Sequence, residues 1–295
     1  MKVIIAGGTG FIGRHVQELL RSLGAEVVLL SREAGDGRVE WDGQNPGPWC
    51  QVLEGADAVI NLAGTPINDP WTQRNRAEIL SSRVNSTKAI GNAILQCQQP
   101  PRHWLNGSAT GIYGDRGDTT LTESSPIGTE GFLVEVAKVW EQAAKDFVLP
   151  STHLSILRTG IVLGRDGGAF PILSELAKKF IGSQIGAGKQ FMSWIHIEDL
   201  AKLVVHILRS SDALIWNGTA PNPVTNGEFM RQLRHAYSRP WVPPVPPFIL
   251  TLNAKVGGPD PSLVTWSQNA VPAQALASGF SFQYPNLTSA IESLK

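Results

Sequence analysis

KVIIAGGTGFIGRHVQELLRSLGAEVVLLSR, Lys2 to Arg32, is the stretch that decides the fold. Lys2 to Ala6 is a continuous apolar run, the pattern of a strand buried on both faces. Phe11 to Leu23 then sets Ile12, Val16, Leu19, Leu20 and Leu23 on one helical stripe, and Gly24 ends that helix. A second apolar run, Glu26 to Leu30, follows at once, so the chain opens as strand, helix, strand. GGTGFIG, Gly7 to Gly13, falls at the junction of the first strand and the first helix. There Gly7 permits a tight exit from the strand, Gly10 lets backbone amides approach a pyrophosphate, and Gly13 lets the helix pack on the sheet. The helix amino terminus adds partial positive charge. The whole turn, with Thr9, Phe11 and Ile12 between the glycines, is a candidate dinucleotide-binding segment.

Further buried-strand candidates are Ala58 to Leu62, His103 to Leu105 and Leu154 to Leu157, separated by helical stretches near Trp71 to Gln96 and Phe132 to Phe147. This alternation predicts an α/β fold with a doubly wound parallel sheet of the Rossmann kind. After Arg158 the rhythm changes. Glycines crowd Gly160 to Gly168 and Gly182 to Gly188, and PWVPPVPP, Pro240 to Pro247, suits neither a helix nor a central strand. A helix candidate, Glu198 to Leu208, and a strand candidate, Ala213 to Asn217, return to the first domain. The expected organisation is a nucleotide-binding domain over 1–165 with a returning segment at about 195–225, and an interleaved, smaller carboxy-terminal substrate lobe from 166–194 and 226–295.

The chain has 295 residues, 42% of them hydrophobic and 17% charged, with 25 basic residues against 25 acidic ones. Balanced charge without blocks lacks the footprint of a nucleic-acid or anionic-membrane binder and points to a small-molecule partner. Cys50 and Cys97 have neither metal-ligand spacing nor the density of a disulfide scaffold, and no His, Cys and carboxylate grouping has metal spacing. The amino-terminal apolar run breaks into glycines well short of a signal-peptide core. No run approaches the ~20 residues of a membrane helix. A cytoplasmic protein is expected.

Cofactor choice is read at the end of the second strand, where a carboxylate would accept hydrogen bonds from the ribose of NAD. Ser31 and Arg32 stand there instead, with Glu33 next. A guanidinium suits the additional phosphate of NADP. NLAG, Asn61 to Gly64, closes the fourth strand with small residues where the sheet meets the adenosine or pyrophosphate region.

GGTGFIG, NLAG, SATGIYG at Ser108 to Gly114 and WIHIEDLA at Trp194 to Ala201 together resemble the extended short-chain dehydrogenase/reductase superfamily, NAD(P)-dependent epimerases, dehydratases and reductases. Ser31-Arg32, EILSSR, FLVEVAKVWE, LRTGIVLGRDGGA and the tail from PPFIL to QYPNL are similar to its epimerase-family branch 39U, which carries its own carboxy-terminal domain. The resemblance implies an NADP-binding oxidoreductase or epimerase-like protein acting on a small polar substrate, or a silent NADP(H)-binding regulator, with a homodimer as a further expectation. It implies cofactor contacts from Leu62, Ala63, Glu78, Arg83 and Val162. Arg83 has two possible partners, a pyrophosphate or Glu78.

The superfamily's chemistry uses a serine or threonine and a Tyr-x-x-x-Lys pair on one helix face, the lysine gripping the ribose and lowering the tyrosine pKa. On that pattern Lys138 takes the lysine position, but Val134 takes the tyrosine's. Ala109 takes the catalytic hydroxyl's place, flanked by Ser108 and Thr110. Tyr113, closing the strand-end loop, is the substitute acid/base with the best placement. The candidate catalytic set is therefore Lys138, Tyr113, Ser108 and Thr110. His196 invites a catalytic label, the alternative being a satisfied histidine beside an Asp199 helix cap. Phe191, Met192 and Trp194 are read either as cleft lining or as packing between lobes.

Overall fold

Alternation along β1 builds the core on both sides of a parallel sheet. Val3 and Ile5 pack with helices on one face, while Ile4 and Ala6 pack on the other. The structure, a computed structural model, describes residues 1–210, 213–255 and 257–295. The first half runs β1 (Lys2–Ala6), α1 (Phe11–Ser22), β2 (Glu26–Ser31), β3 (Arg38–Glu40), β4 (Ala58–Asn61), α2 (Gln73–Gln96), β5 (His103–Ala109), β6 (Thr120–Leu121), α3 (Phe132–Lys145) and β7 (His153–Thr159). The second half runs β8 (Ile161–Gly164), β9 (Gly167–Gly168), α4 (Phe170–Lys178), β10 (Phe191–Met192), β11 (Trp194–His196), α5 (Ile197–Ile207), β12 (Ile215–Gly218), β13 (Val224–Thr225), α6 (Asn226–Ala236), α7 (Pro247–Lys255), α8 (Ser262–Thr265), β14 (Asn269–Ala270), α9 (Ala273–Ala277) and α10 (Leu287–Leu294).

The main sheet has the order β12-β7-β5-β4-β1-β2-β3, every pairing parallel. Helices α1 and α5 cover one face, and α2 and α3 the other. The order turns back between β1 and β4, so the carboxyl ends of those strands open a crevice at the switch point. The segment after residue 195 re-enters this domain through α5 and the edge strand β12. Its strand begins at Ile215; residues 211 and 212, just before the expected start at Ala213, lie outside the described residues.

A second core gathers Phe170, Trp194, Phe229, Leu233, Leu287 and Ile291 from the remaining segments. The proline-rich stretch forms no helix until Pro247, which opens α7, and it holds to the lobe through Val245, whose N–H donates to Gln184 O at 2.8 Å. His196 is itself the cap of α5, its Nδ1 accepting from the Glu198 N–H at 3.1 Å. Burial lowers its pKa to about 4, and its ring lies 3.9 Å from that of Tyr284. Asp199, the cap in the alternative reading, instead accepts the N–H groups of Gln283 and Tyr284, both at 2.8 Å, and ties down the carboxy-terminal segment. Neither residue faces the crevice. Among the described residues no helix is long and apolar enough to cross a membrane, and no group of three metal-ligating side chains occurs.

Candidate functional site

The glycine turn is set by close contacts that no larger residue tolerates. Gly7 has φ +78°, and a Cβ there would lie 2.7 Å from the Leu62 carbonyl carbon. A Cβ on Gly13 would lie 2.3 Å from Gly7 O, so this glycine seats α1 against the turn. The helix cap, Gly10, contributes no side chain, and the first turn holds no acidic residue, which leaves the amides and their partial positive charge facing the crevice. Phe11 turns its ring onto the bends at Gly164, Gly167 and Gly168, all within 3 Å of where their Cβ atoms would stand.

Two connected cavities meet at Gly7, Gly10, Leu62, Gly64 and Pro66. The outer one, about 830 Å³, carries Thr9, Ser31, Arg32, Ala63 and Glu78 together. It also carries Arg38 and Trp41, which sequence reasoning missed. Arg38 sits on the edge strand β3 opposite Leu29 of β2, and it lines the same cavity as Arg32 at the end of β2. Neither arginine forms an ion pair among the described residues. Glu33 lines the same cavity, and its N–H donates to Ser31 Oγ at 3.3 Å.

Arg83 stands at the join. Its Nη1 donates to Thr65 O and Ile79 O, both at 3.0 Å, and its guanidinium lies 5.2 Å from the Trp140 ring centre. Glu78 is exposed and makes no pair with it, and no other carboxylate does so among the described residues. Burial lowers the Arg83 pKa to about 10, the sign of a cation short of a counter-charge.

The inner cavity, about 530 Å³, is lined by Ile12, Gly13, Ser108, Thr110 and Val162 among others. Phe191 and Met192 line it too, whereas Trp194 is fully buried in the second core. Leu133, Ala137, Thr159, Trp266 and Gln268 also line it and were not foreseen. Thr159 pairs in register with Ala109 on the neighbouring strand, so its hydroxyl stands beside the position where Ala109 lacks one.

Two expected catalytic residues lie elsewhere. On α3 the chamber-facing pair four residues apart is Leu133 and Ala137, one residue before Val134 and Lys138. Val134 is buried, and Lys138 is exposed on a separate surface hollow with Arg76, Phe132 and Glu135. The register of α3 is fixed by Glu141, which accepts from Arg158 Nε at 2.7 Å and Nη2 at 3.0 Å, both side chains nearly fully buried. Burial alone would raise Glu141, but the bonds and charge of Arg158 outweigh it and hold the carboxyl below its ordinary range.

Tyr113 is fully buried behind the chamber, within hydrogen-bond distance of Arg158 Nη1, Asn217 Oδ1 and Thr122 O at 3.0, 2.8 and 3.0 Å. Burial pushes its phenol up against the pull of Arg158. It therefore braces β7 and β12 and reaches no cleft atom. Ser108 does line the chamber, and its Oγ donates to Glu141 Oε1 at 2.8 Å. Thr110 Oγ1 likewise donates to Gln268 Oε1 at 3.0 Å.

The comparisons with known proteins agree with this architecture. Residues 3–217 match the NAD dependent epimerase/dehydratase family, and residues 245–294 match DUF1731, a domain of unknown function. The Bos taurus epimerase family protein SDR39U1 is 36% identical over 99% of this chain and 99% of its own length. Epimerase family protein YfhF of Bacillus subtilis (strain 168) is 35% identical over 100% of this chain and 98% of its own. The crystal structure of human epimerase family protein SDR39U1 (isoform 2) with NADPH is 34% identical and superposes with a TM-score of 0.90, covering 100% of this chain and 99% of that one. The chain belongs to the NAD dependent epimerase/dehydratase family.

Proposed function

We propose that the protein binds NADP(H) along the two joined cavities and acts as an oxidoreductase or epimerase-like enzyme on a small substrate in the inner one. The observation that carries this reading is Arg83, a half-buried cation with no carboxylate partner among the described residues, which lines the chamber together with the glycine turn. A charge so placed calls for a bound anion. The diphosphate of a dinucleotide at the amino terminus of α1 would meet it. The cradle fits: Gly7, Gly10 and Gly64 leave backbone and Arg83 open where side chains would fill the groove. The human relative solved with NADPH supports the same cofactor class.

Arg32 and Arg38 would take the 2′-phosphate, and the backbone of Leu62 to Gly64 would line the nucleoside. When bound, the nicotinamide supplies or accepts hydride. The chain's own part in the chamber is to exclude water with Leu133, Val136 and Trp266 and to offer the Thr159 hydroxyl to the reacting group. Lys138 has no role in this reading.

Titration of Arg83→Gln with NADPH tests it. The dissociation constant is expected to rise at least about tenfold, as for loss of a charge-assisted hydrogen bond, while the ligand-free melting temperature holds or rises. Unchanged NADPH affinity sinks the assignment. A second reading, an NADP(H)-binding regulator without turnover, is favoured by one observation: Arg83 is the only titratable side chain lining the inner cavity among the described residues. Tight NADPH binding with no oxidation against a broad panel of carbonyl compounds would select it.

A further inference from the structure

The inner chamber specifies the charge and polarity of its substrate. Its wall is built from Leu133, Val136, Ile161, Met192, Leu263 and Trp266, drawn from both lobes, and contains no lysine, histidine or acid among the described residues. Arg83 is its single charge, and it sits against Gly64 at the join with the outer cavity, where a cofactor diphosphate would use it. A substrate carrying its own diphosphate would bring about two negative charges into this chamber with no second counter-ion, and the desolvation of each would go uncompensated.

Hydroxyl protons in the wall are also mostly committed. Ser108 donates to Glu141, a carboxylate that Arg158 keeps ionised and so able only to accept. Thr110 donates to Gln268 Oε1, Ser193 to Gln268 O and Ser262 to Asp260 Oδ1. Thr159 lines the chamber and has no side-chain hydrogen bond among the described residues. It alone among these hydroxyls is uncommitted, able to donate to a carbonyl or accept from an alcohol.

We infer that the chamber takes a neutral, predominantly apolar molecule bearing one hydroxyl or carbonyl oxygen, which Thr159 meets, and that it excludes sugar nucleotides. The inference rests on the cofactor reading above, which assigns Arg83 to the dinucleotide. A site whose free polar groups are all neutral, the Thr159 hydroxyl with the Gln268 amide N–H and the Trp266 indole N–H, and are set among apolar walls, discriminates strongly between a neutral ligand that pairs with them and one that brings unpaired charge.

The test uses the full chain loaded with NADP⁺, with two probes measured by calorimetry and saturation-transfer NMR: acetophenone, a neutral ketone that NADP⁺ cannot oxidise, and UDP-glucose. Saturable acetophenone binding is expected, weakened about tenfold or more in Thr159→Val, retained in Thr159→Ser and blocked in Met192→Trp. UDP-glucose is expected to show no binding where acetophenone saturates. Tighter binding of UDP-glucose, no saturable binding of acetophenone, or acetophenone binding unchanged in both Thr159→Val and Met192→Trp overturns the inference. A separate NADP⁺ titration comes first. Its failure would defeat the cofactor reading, and the same two probes on the free protein would then decide the chamber's preference by the same criteria.

Discussion

Replacing Glu141 by leucine removes the carboxylate that holds α3, β5 and β7 together. Glu141 and Arg158 are each only 2% exposed. Their contact is bidentate, at 2.7 and 3.0 Å. Removing one partner of such a pair strands the other charge, at about 3–5 kcal/mol. Ser108 would also lose its acceptor, a contribution of about 1 kcal/mol that overlaps the first because both bonds share Oε1. An expected loss of about 4 kcal/mol is a large part of the roughly 5–15 kcal/mol that stabilises a domain. Urea unfolding of four proteins checks it: the parent, Glu141→Leu, Arg158→Met and the double variant. The double variant should be more stable than Glu141→Leu, because no uncompensated guanidinium is left. A single-variant loss under about 1 kcal/mol, or a double variant no better than Glu141→Leu, would refute the reasoning. The sign with pH follows from the depressed Glu141 pKa: its contribution is complete above the ordinary value of 4.5 and is lost as pH falls through the lower folded value. The parent should therefore lose more stability on acidification below 4.5 than Glu141→Leu does.

Two other expectations separate this site from the motif-based one. Lys138→Ala should change NADPH affinity by less than about twofold, since an exposed lysine outside the groove has no ribose to grip; a tenfold loss by fluorescence titration would return it to the site. Tyr113→Phe should lower stability by about 1–3 kcal/mol, because Arg158 and Asn217 each lose a buried partner. NADPH affinity should not move with it, and a selective loss of affinity would contradict the bracing role.

The parallel sheet was legible because strands buried on both faces write themselves as unbroken apolar runs, as Lys2 to Ala6 does. The glycine turn was legible for a steric reason, since Gly7 and Gly13 meet backbone at under 3 Å. β3 was not: its three residues, Arg38 to Glu40, are a strand only through pairing with β2, and Arg38 therefore escaped notice as a groove residue. On α3 the motif drew attention to Lys138, yet one residue is about 100° of helix rotation. The residue that sets that rotation, Glu141, is identified by Arg158, seventeen positions away on another element. Tyr113 misled for a related reason: nothing local in SATGIYG says which side of the sheet its ring takes, whereas its bond to Asn217 spans 104 positions. Thr159 was invisible for want of its neighbour, because its closeness to Ala109 exists only in the register of β5 and β7.

The central claim is that the outer cavity reads the 2′-phosphate through Arg32 and Arg38. Titration of NADPH and NADH by quenching of intrinsic tryptophan fluorescence, in the parent and in the Arg32→Ala/Arg38→Ala double variant, tests it most directly. The parent should bind NADPH at least about tenfold more tightly than NADH, and the variant should bind the two alike, with its NADH affinity preserved. Equal affinity for the two in the parent, or a preference for NADPH that survives loss of both arginines, would contradict the account.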